Sequence, residues 1–222
     1  MRASIIVSFF NANDYALPKQ HLQRTLSHAL ESGREVILAQ AVLEGQEPQP
    51  VPEGCKNLIY TVPSFLFYKE NLWNAAASEA KGDCYLFLDA DVLYQKEDWV
   101  EQAEKVLETH DVTQPFTKAV WLDEFGNAEK TVTAVACAIV NNTTLEFNNT
   151  HPGFGWGITR EAFNRIGGFY DLCANGSNDA LFSFALSSAS QYAKATSWFN
   201  DRAVFSKHYQ TYRALVKSKG IK

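Results

Sequence analysis

Four apolar runs, each long enough for a buried strand, constrain the fold of this chain more than any other feature. Segments with the periodicity of an amphipathic helix separate or follow them: residues 18–32 carry apolar side chains at positions 22, 26, 29 and 30. Residues 69–80 and 97–110 are also predicted as helices. Strands that alternate with helices in this way predict an α/β fold with a mostly parallel, twisted sheet covered by helices on both faces. The predicted strands are residues 3–9, 35–42, 57–62 and 84–92.

Two carboxylates follow the fourth apolar run, in the stretch CYLFLDADVLY at residues 84–94. Burying charge is costly, so acids at the end of a buried strand need a partner. Residues i and i+2 of an extended chain point the same way, and ligands of such sheets bind beyond the carboxyl ends of the strands. Asp89 and Asp91 can therefore address one ligand. The pair suits a hard divalent cation, Mn²⁺ or Mg²⁺, whereas a solvated turn is the alternative interpretation of an isolated D-x-D pattern.

The composition fits one domain of 222 residues, of which 46% are hydrophobic. No apolar run approaches the roughly 18 residues of a transmembrane helix, so we expect a soluble protein. Four widely spaced cysteines favour free thiols over a zinc site and indicate a reducing, cytoplasmic location. The net charge of −5 excludes a wholly basic nucleic-acid binder. Residues 207–222 nevertheless hold five Lys or Arg and no acid, as either a solvated tail or a local anion site.

The second half of the chain has a different pattern. Residues 111–123 and 130–142 are predicted as strands of a smaller, more antiparallel region. A Gly- and aromatic-rich stretch, HPGFGWGIT, comes next, followed by a short helix that ends at a Gly-Gly pair. Residues 178–189 are predicted as a helix with Asn178 as its N-cap.

The stretch NAAASEAKGDCYLFLDADV, residues 74–92, resembles the nucleotide-sugar site of family 2-like glycosyltransferases with the GT-A fold. In that family a helix with a Lys or Arg and then an Asn precedes A-x-G-D, an apolar strand and a D-x-D motif. Other stretches resemble the family in the same order: FFNAND, HPGFGWGITREAFNRIGGFYD on the acceptor side, NGSNDALFSFAL, and a His near the C-terminus. The nearest resemblance is to a phage and bacterial subgroup with a similar GFGWG and GGFYD pattern.

The resemblance implies one GT-A-like domain over residues 1–222, with a nucleotide-sugar-binding half at 1–110 and an acceptor-binding half at 111–222. The implied catalytic base is Asp179. The implied metal ligands for Mn²⁺ or Mg²⁺ are Asp91 and Asp89, with His208 as a further ligand. The implied donor-binding residues are Phe10, Asn11, Lys69, Asn74 and Asp89. The implied acceptor-binding residues are Trp156, Gly155 and Asn178.

The implied reaction is transfer of a hexose or pentose from a nucleoside diphosphate sugar, foremost a UDP-sugar, to an acceptor hydroxyl. Direct attack by a hydroxyl deprotonated at Asp179 would invert the anomeric centre. The acceptor stays open among a glycan, a protein, a lipid-linked sugar and a modified base of phage DNA. Trp156, between two glycines, either stacks on a sugar ring or packs in the core.

Two departures from the family pattern keep a non-catalytic nucleotide- or sugar-binding module as the alternative. The chain has Asn178-Asp179 where the family has an acidic pair, and Gln210-Thr211 where the family often has His-Gly. A nucleotidyltransferase ranks below both interpretations. The stretch SFFNANDY after the first strand has neither the glycines nor the arginine that such an enzyme uses there.

Overall fold

The computed structural model describes residues 1–64, 66, 68–145, 148–173, 176–196 and 206–221, which form a larger and a smaller sheet with helices on both faces of the larger one. None of the described helices is both long and apolar enough to cross a membrane. The strands are β1 (Ala3–Phe10), β2 (Glu35–Leu43), β3 (Cys55–Val62), β4 (Cys84–Leu88), β5 (Val112–Thr113), β6 (Lys118–Leu122), β7 (Ala128–Ala134), β8 (Thr150–His151) and β9 (Gly155–Thr159). The helices are α1 (Ala16–Glu31), α2 (Lys69–Glu79), α3 (Trp99–Leu107), α4 (Val135–Val140), α5 (Arg160–Ile166), α6 (Asn178–Leu186), α7 (Ala189–Thr196) and α8 (Lys207–Ser218).

The larger sheet has the order β3-β2-β1-β4-β9-β5. Strands β1 to β4 pair in parallel, and β9 runs antiparallel to both of its neighbours. Successive side chains of β1 enter different layers: Ile5 joins the cluster that contains Leu26 of α1, and Ile6 joins the cluster that contains Trp73 of α2. Both faces of the central strands are therefore covered, which explains why their sequences are continuously apolar.

The predicted fold class and the strand–helix rhythm of the first half are confirmed. Three of the predicted strands differ in the structure. The fourth strand ends at Leu88 rather than at residue 92, because the chain turns at residues 90–91. The segment 111–123 is not one strand but two, β5 in the larger sheet and β6 in the smaller one. The segment 130–142 is not one strand either: β7 ends at Ala134 and α4 follows.

Strand β9 inserts the Gly-aromatic-Gly stretch between β4 and β5. Glycines allow this close approach. A Cβ on Gly155 would lie 3.0 Å from the carbonyl oxygen of Phe87 and 2.8 Å from the hydroxyl of Tyr94. The register pairs Leu88 with Gly155, so the residues before β9 lie beside the acids that follow β4. The antiparallel insertion thus joins the two halves of the chain at the carboxyl end of the parallel strands.

Gly82 gives a direct test of the packing between the start of β1 and the turn before β4. A Cβ at this position would lie 2.5 Å from the backbone nitrogen of Ser4 and 2.7 Å from the carbonyl carbon of Ala3. Because backbone cannot yield as a side chain does, Gly82→Ala should lower the free energy of unfolding by about 2 kcal/mol or more. Denaturant unfolding measures this. Lys81→Ala, at an exposed neighbouring position, is the control and should change little; equal stability of both variants would contradict the packing.

Candidate active site

A cleft of about 270 Å³ opens where β1 and β4 end. Four of the side chains predicted from the sequence line it: Phe10, Lys69, Asp89 and Asp91. Two residues of α1, Pro18 and His21, which the sequence analysis did not single out, complete one wall. The full set is Ser8, Phe9, Phe10, Pro18, His21, Lys69, Asp89, Ala90 and Asp91.

The ammonium group of Lys69 is the electrostatic centre of the site. Its side chain is only 9% exposed, and Nζ lies 3.1 Å from Asp89 Oδ1 and 3.4 Å from Asp179 Oδ2. Glu70 Oε1 lies at 4.0 Å. Burial by itself lowers the pKa of Lys69, but the three carboxylates together hold that pKa well above its usual range. Lys69 therefore stays charged at neutral pH and draws Asp89 and Asp179 to one point.

Asp89 also binds the backbone of the acceptor-side segment. Its Oδ2 accepts a hydrogen bond from the N–H of Phe154 at 2.9 Å, and its own N–H donates to the Phe154 carbonyl at 3.1 Å. In this arrangement the backbone of Phe154 has a φ of 73°, a left-handed conformation that a bulky residue rarely adopts. Strain of this kind is concentrated at functional sites, where the surroundings enforce it.

Asp91 is exposed and faces the cleft from the loop after β4. Desolvation and the nearby charge of Asp89 raise the pKa of Asp91, and His21 acts in the opposite direction. A bound cation would relieve this like-charge repulsion, so the pair fits a hard divalent metal with oxygen ligands. The residues described include no group of three or more His, Cys, Asp or Glu arranged to hold a metal, so phosphate and water oxygens would have to complete the shell.

Asp179 lies in the first turn of α6, with Oδ1 accepting from the N–H of Ala180 at 2.7 Å and Oδ2 turned to Lys69. The N-cap of this helix is Ser177, with φ 69°, and not Asn178 as predicted. Asn178 is only 2% exposed, and its amide donates to Glu70 Oε2 at 2.9 Å and to the Cys173 carbonyl at 3.0 Å. Its assignment to the acceptor is thereby corrected, because those bonds hold the amide inside the protein.

Glu70 is the buried acid that the sequence analysis missed. It is 1% exposed, and burial raises its pKa to about 7. Lys69 and the amide of Asn178 act against this rise, whereas Asp179 adds to it. Its only signal in the sequence was an acid next to Lys69 at the start of a predicted helix.

A family model decides the relationship of this chain to known proteins. The model described as glycosyl transferase family 2 matches residues 4–167. The chain belongs to glycosyl transferase family 2. No curated protein matches the sequence.

Solved structures agree on the fold. The mannosyltransferase PcManGT from Pyrobaculum calidifontis, in complex with GDP-Man and Mn²⁺, has a TM-score of 0.50 and 18% identity over 83% of this chain and 52% of its own. TarS 1-349 from S. aureus has a TM-score of 0.45 and 17% identity over 83% of this chain and 54% of its own. The chain thus spans about half the length of these structures. At 18% identity the likeness to PcManGT shows the GT-A fold and no more.

Two positions expected from the family 2 pattern have structural roles. Asn74 binds the Gly-Gly turn instead of a donor: its amide donates to the Phe169 carbonyl at 2.9 Å and to Asp171 Oδ2 at 3.0 Å, and its oxygen accepts from Phe169 N–H at 2.9 Å. Trp156 is 1% exposed and meets Phe182 edge-on, so it belongs to the core and not to the acceptor surface. Its indole N–H donates to the Pro152 carbonyl at 2.8 Å.

Three more family 2 positions have no contact with the Lys69 cluster among the interactions of the described residues. Gly155 is buried and permits the close packing of β9 on β4, so it offers no surface to an acceptor. The side chain of Asn11 closes its own turn with the backbone of Tyr15, accepting from its N–H and donating to its carbonyl. His208 is exposed at the start of α8, directly after the undescribed residues 197–205. Its ligation of a metal stays a prediction.

Glu70 predicts a distinctive pH dependence of stability. Its folded pKa of about 7 lies above the ordinary value of a glutamate, so its contribution to the free energy of unfolding is present at low pH and is lost as the pH rises through 7. Glu70→Gln keeps an oxygen that can accept from Asn178 and removes the titration. Relative to wild type, the variant should gain roughly 2–3 kcal/mol in unfolding free energy between pH 5 and pH 8. Urea unfolding at both pH values measures this; a parallel pH dependence of the two proteins would contradict it.

Proposed function

We propose that this chain is a metal-dependent, inverting glycosyltransferase that moves a sugar from a nucleoside diphosphate sugar, foremost a UDP-sugar, to an acceptor hydroxyl. The observation that carries the proposal is the convergence of Asp89 and Asp179 on the buried Lys69, with Asp91 in the same cleft. We further propose that residues 1–110 bind the donor and residues 111–222 the acceptor. The GFGWG and GGFYD pattern supports placing the chain in the phage and bacterial subgroup.

Donor binding is assigned to the cleft. Phe10 offers a half-buried ring at the mouth for the nucleoside, and Lys69 offers positive charge for the diphosphate. Asp91 would be the main ligand of the Mn²⁺ or Mg²⁺. Asp89 would contribute less, because its Oδ1 already faces Lys69 and its Oδ2 already accepts from the N–H of Phe154. When bound, such a cation would act as a Lewis acid that stabilises the charge of the leaving diphosphate.

Acceptor activation is assigned to Asp179. As a carboxylate beside a charged lysine it can take the proton of an acceptor hydroxyl, whose oxygen then attacks the anomeric carbon from the side opposite the diphosphate. One base and one direct displacement invert the anomeric configuration.

The structure weakens the case for a non-catalytic binding module. That interpretation depended on Asn178 standing where the family has an acid. The Asn178 amide lies 2.9 Å from Glu70 Oε2, so a carboxylate from α2 is present beside that position. The absence of an acid at position 178 therefore does not leave that part of the site without a carboxyl group: Glu70 Oε1 lies 4.0 Å from Lys69 Nζ.

Nucleotide binding is the first test of the proposal. Calorimetric titration of the protein with UDP, with and without Mn²⁺, should show binding that Mn²⁺ strengthens, and GDP and dTDP serve as controls for the base. Stronger binding of GDP than of UDP would indicate a GDP-sugar as the donor and would leave the proposed transfer reaction unchanged. Absence of binding by all three nucleotides would refute the transferase.

Two substitutions separate the proposed roles. Asp91→Ala should abolish the effect of Mn²⁺ on nucleotide affinity, because it removes the exposed carboxylate. Asp179→Asn should keep that affinity and reduce turnover by roughly 10²–10⁴-fold, the usual contribution of a general base. Glu53→Gln, in an exposed loop, is the matched control and should leave both quantities unchanged. Near-normal turnover by Asp179→Asn would show that another group is the base.

A further inference from the structure

An aromatic shelf lies beside the proposed base and has no role in donor binding. We define the shelf as Trp121, His151 and Phe154, all half-buried. The rings of His151 and Phe154 stack with centroids 4.3 Å apart and an angle of 22°. Trp121, on β6, meets both at steep angles, with centroids 5.3 and 5.1 Å away.

The shelf adjoins Asp179 through Gly153. A Cβ built on Gly153 would lie 2.8 Å from His151 Cε1 and 2.9 Å from Asp179 Oδ2. The imidazole ring and the base carboxylate therefore both pack against the α-carbon of Gly153, and no larger residue fits between them. A molecule that rests on the shelf has its edge near Asp179, the position that an acceptor hydroxyl requires.

Side-chain hydrogen bonds hold the backbone of residues 151–154, which carry two of the three shelf rings. Gln114 is 6% exposed, and its amide nitrogen lies 3.3 Å from each of three successive carbonyls, those of His151, Pro152 and Gly153. The strained backbone of Phe154 is held by Asp89. Fixed rings on a strained, clamped loop are typical of a preorganised binding surface.

We propose that this shelf binds a sugar ring of the acceptor, so that the acceptor is a glycoside; the inference rests on the proposed function of Asp179. Aromatic rings bind the apolar C–H face of a pyranose and leave its hydroxyls at the edge. His151 adds a polar contact. Its Nδ1 accepts from the N–H of Gly153 at 2.9 Å, so the neutral ring carries its proton on Nε2 and can donate to a sugar oxygen. Burial lowers the pKa of His151, which favours this neutral form.

The charges next to the shelf argue against DNA as the acceptor. The hairpin of β6 and β7, which carries Trp121, has three acids and two lysines over residues 118–134. Asp179 and Asp89 act on His151 electrostatically, and Lys69 and Lys130 act in the opposite direction. The charges around the shelf are therefore mixed, whereas nucleic-acid sites collect positive charge along the phosphate path. Lys130 lies 5.1 Å from the centroid of Trp121, and Lys118 is the other exposed lysine of the hairpin.

Ligand-observed NMR tests the shelf with defined probes: methyl β-glucoside, methyl β-galactoside and methyl N-acetyl-β-glucosaminide, in the presence of UDP and Mn²⁺. Saturation transfer to the C–H protons of one ring face is expected for at least one glycoside. Trp121→Ala should weaken its affinity about ten-fold. Val120→Ala, on the same strand but 48% exposed on the other face, should leave the affinity unchanged.

A second variant keeps the test informative if Trp121→Ala does not fold. Phe154→Gly removes another ring of the shelf, and glycine accepts the φ of 73° without strain. It should weaken glycoside binding to a similar degree. Equal glycoside affinity in wild type and both variants, no signal from any glycoside, or a stronger signal from 5-hydroxymethyl-deoxycytidine or a serine peptide would overturn the proposal. Metal-dependent UDP binding by the same wild-type sample separates this failure from failure of the transferase itself.

Discussion

The buried ammonium of Lys69 is the constraint on which the site depends. A charge that is 9% exposed needs compensation, and its partners come from three elements: α2 itself, the end of β4 and the first turn of α6. One cation thereby ties the parallel sheet to the helices of the second half. Removal of the Lys69 ammonium group would leave Glu70, Asp89 and Asp179 as neighbouring acids without a counter-charge. This lysine therefore stabilises both the packing of these elements and the charge of the site.

Glu70 places a carboxyl group beside Asn178 from another helix. The chain has an amide at position 178, where the family pattern has an acid. In three dimensions that amide donates to Glu70 Oε2, at 2.9 Å. Burial raises the pKa of Glu70 to about 7, so the lasting negative charge beside Lys69 comes from Asp89 and Asp179, at 3.1 and 3.4 Å from its Nζ.

The sequence predicted the strand–helix order and the mostly parallel sheet, because those follow from local patterns: apolar runs and helical spacing. Lys69 and Asp179 were singled out by the resemblance to the family, and their convergence with Asp89 is seen only in the structure. Prediction from sequence failed where tertiary contacts decide. Asn74 and Trp156 are polar or aromatic residues in motif positions, yet their hydrogen bonds go to Phe169, Asp171 and Pro152. His151 and Glu70 were overlooked because nothing local distinguishes them. The change from strand to helix after Ala134 falls inside one apolar segment, so the local pattern does not mark it.

Two hydrogen bonds between Asp89 and the backbone of Phe154 join the two surfaces that we propose for the substrates. Asp89 lines the cleft, and the ring of Phe154 stacks on His151. In the proposed transferase, a shift of Asp89 on donor binding would reach the Phe154 ring through these bonds. Ordered binding, with the donor before the acceptor, would be the kinetic consequence.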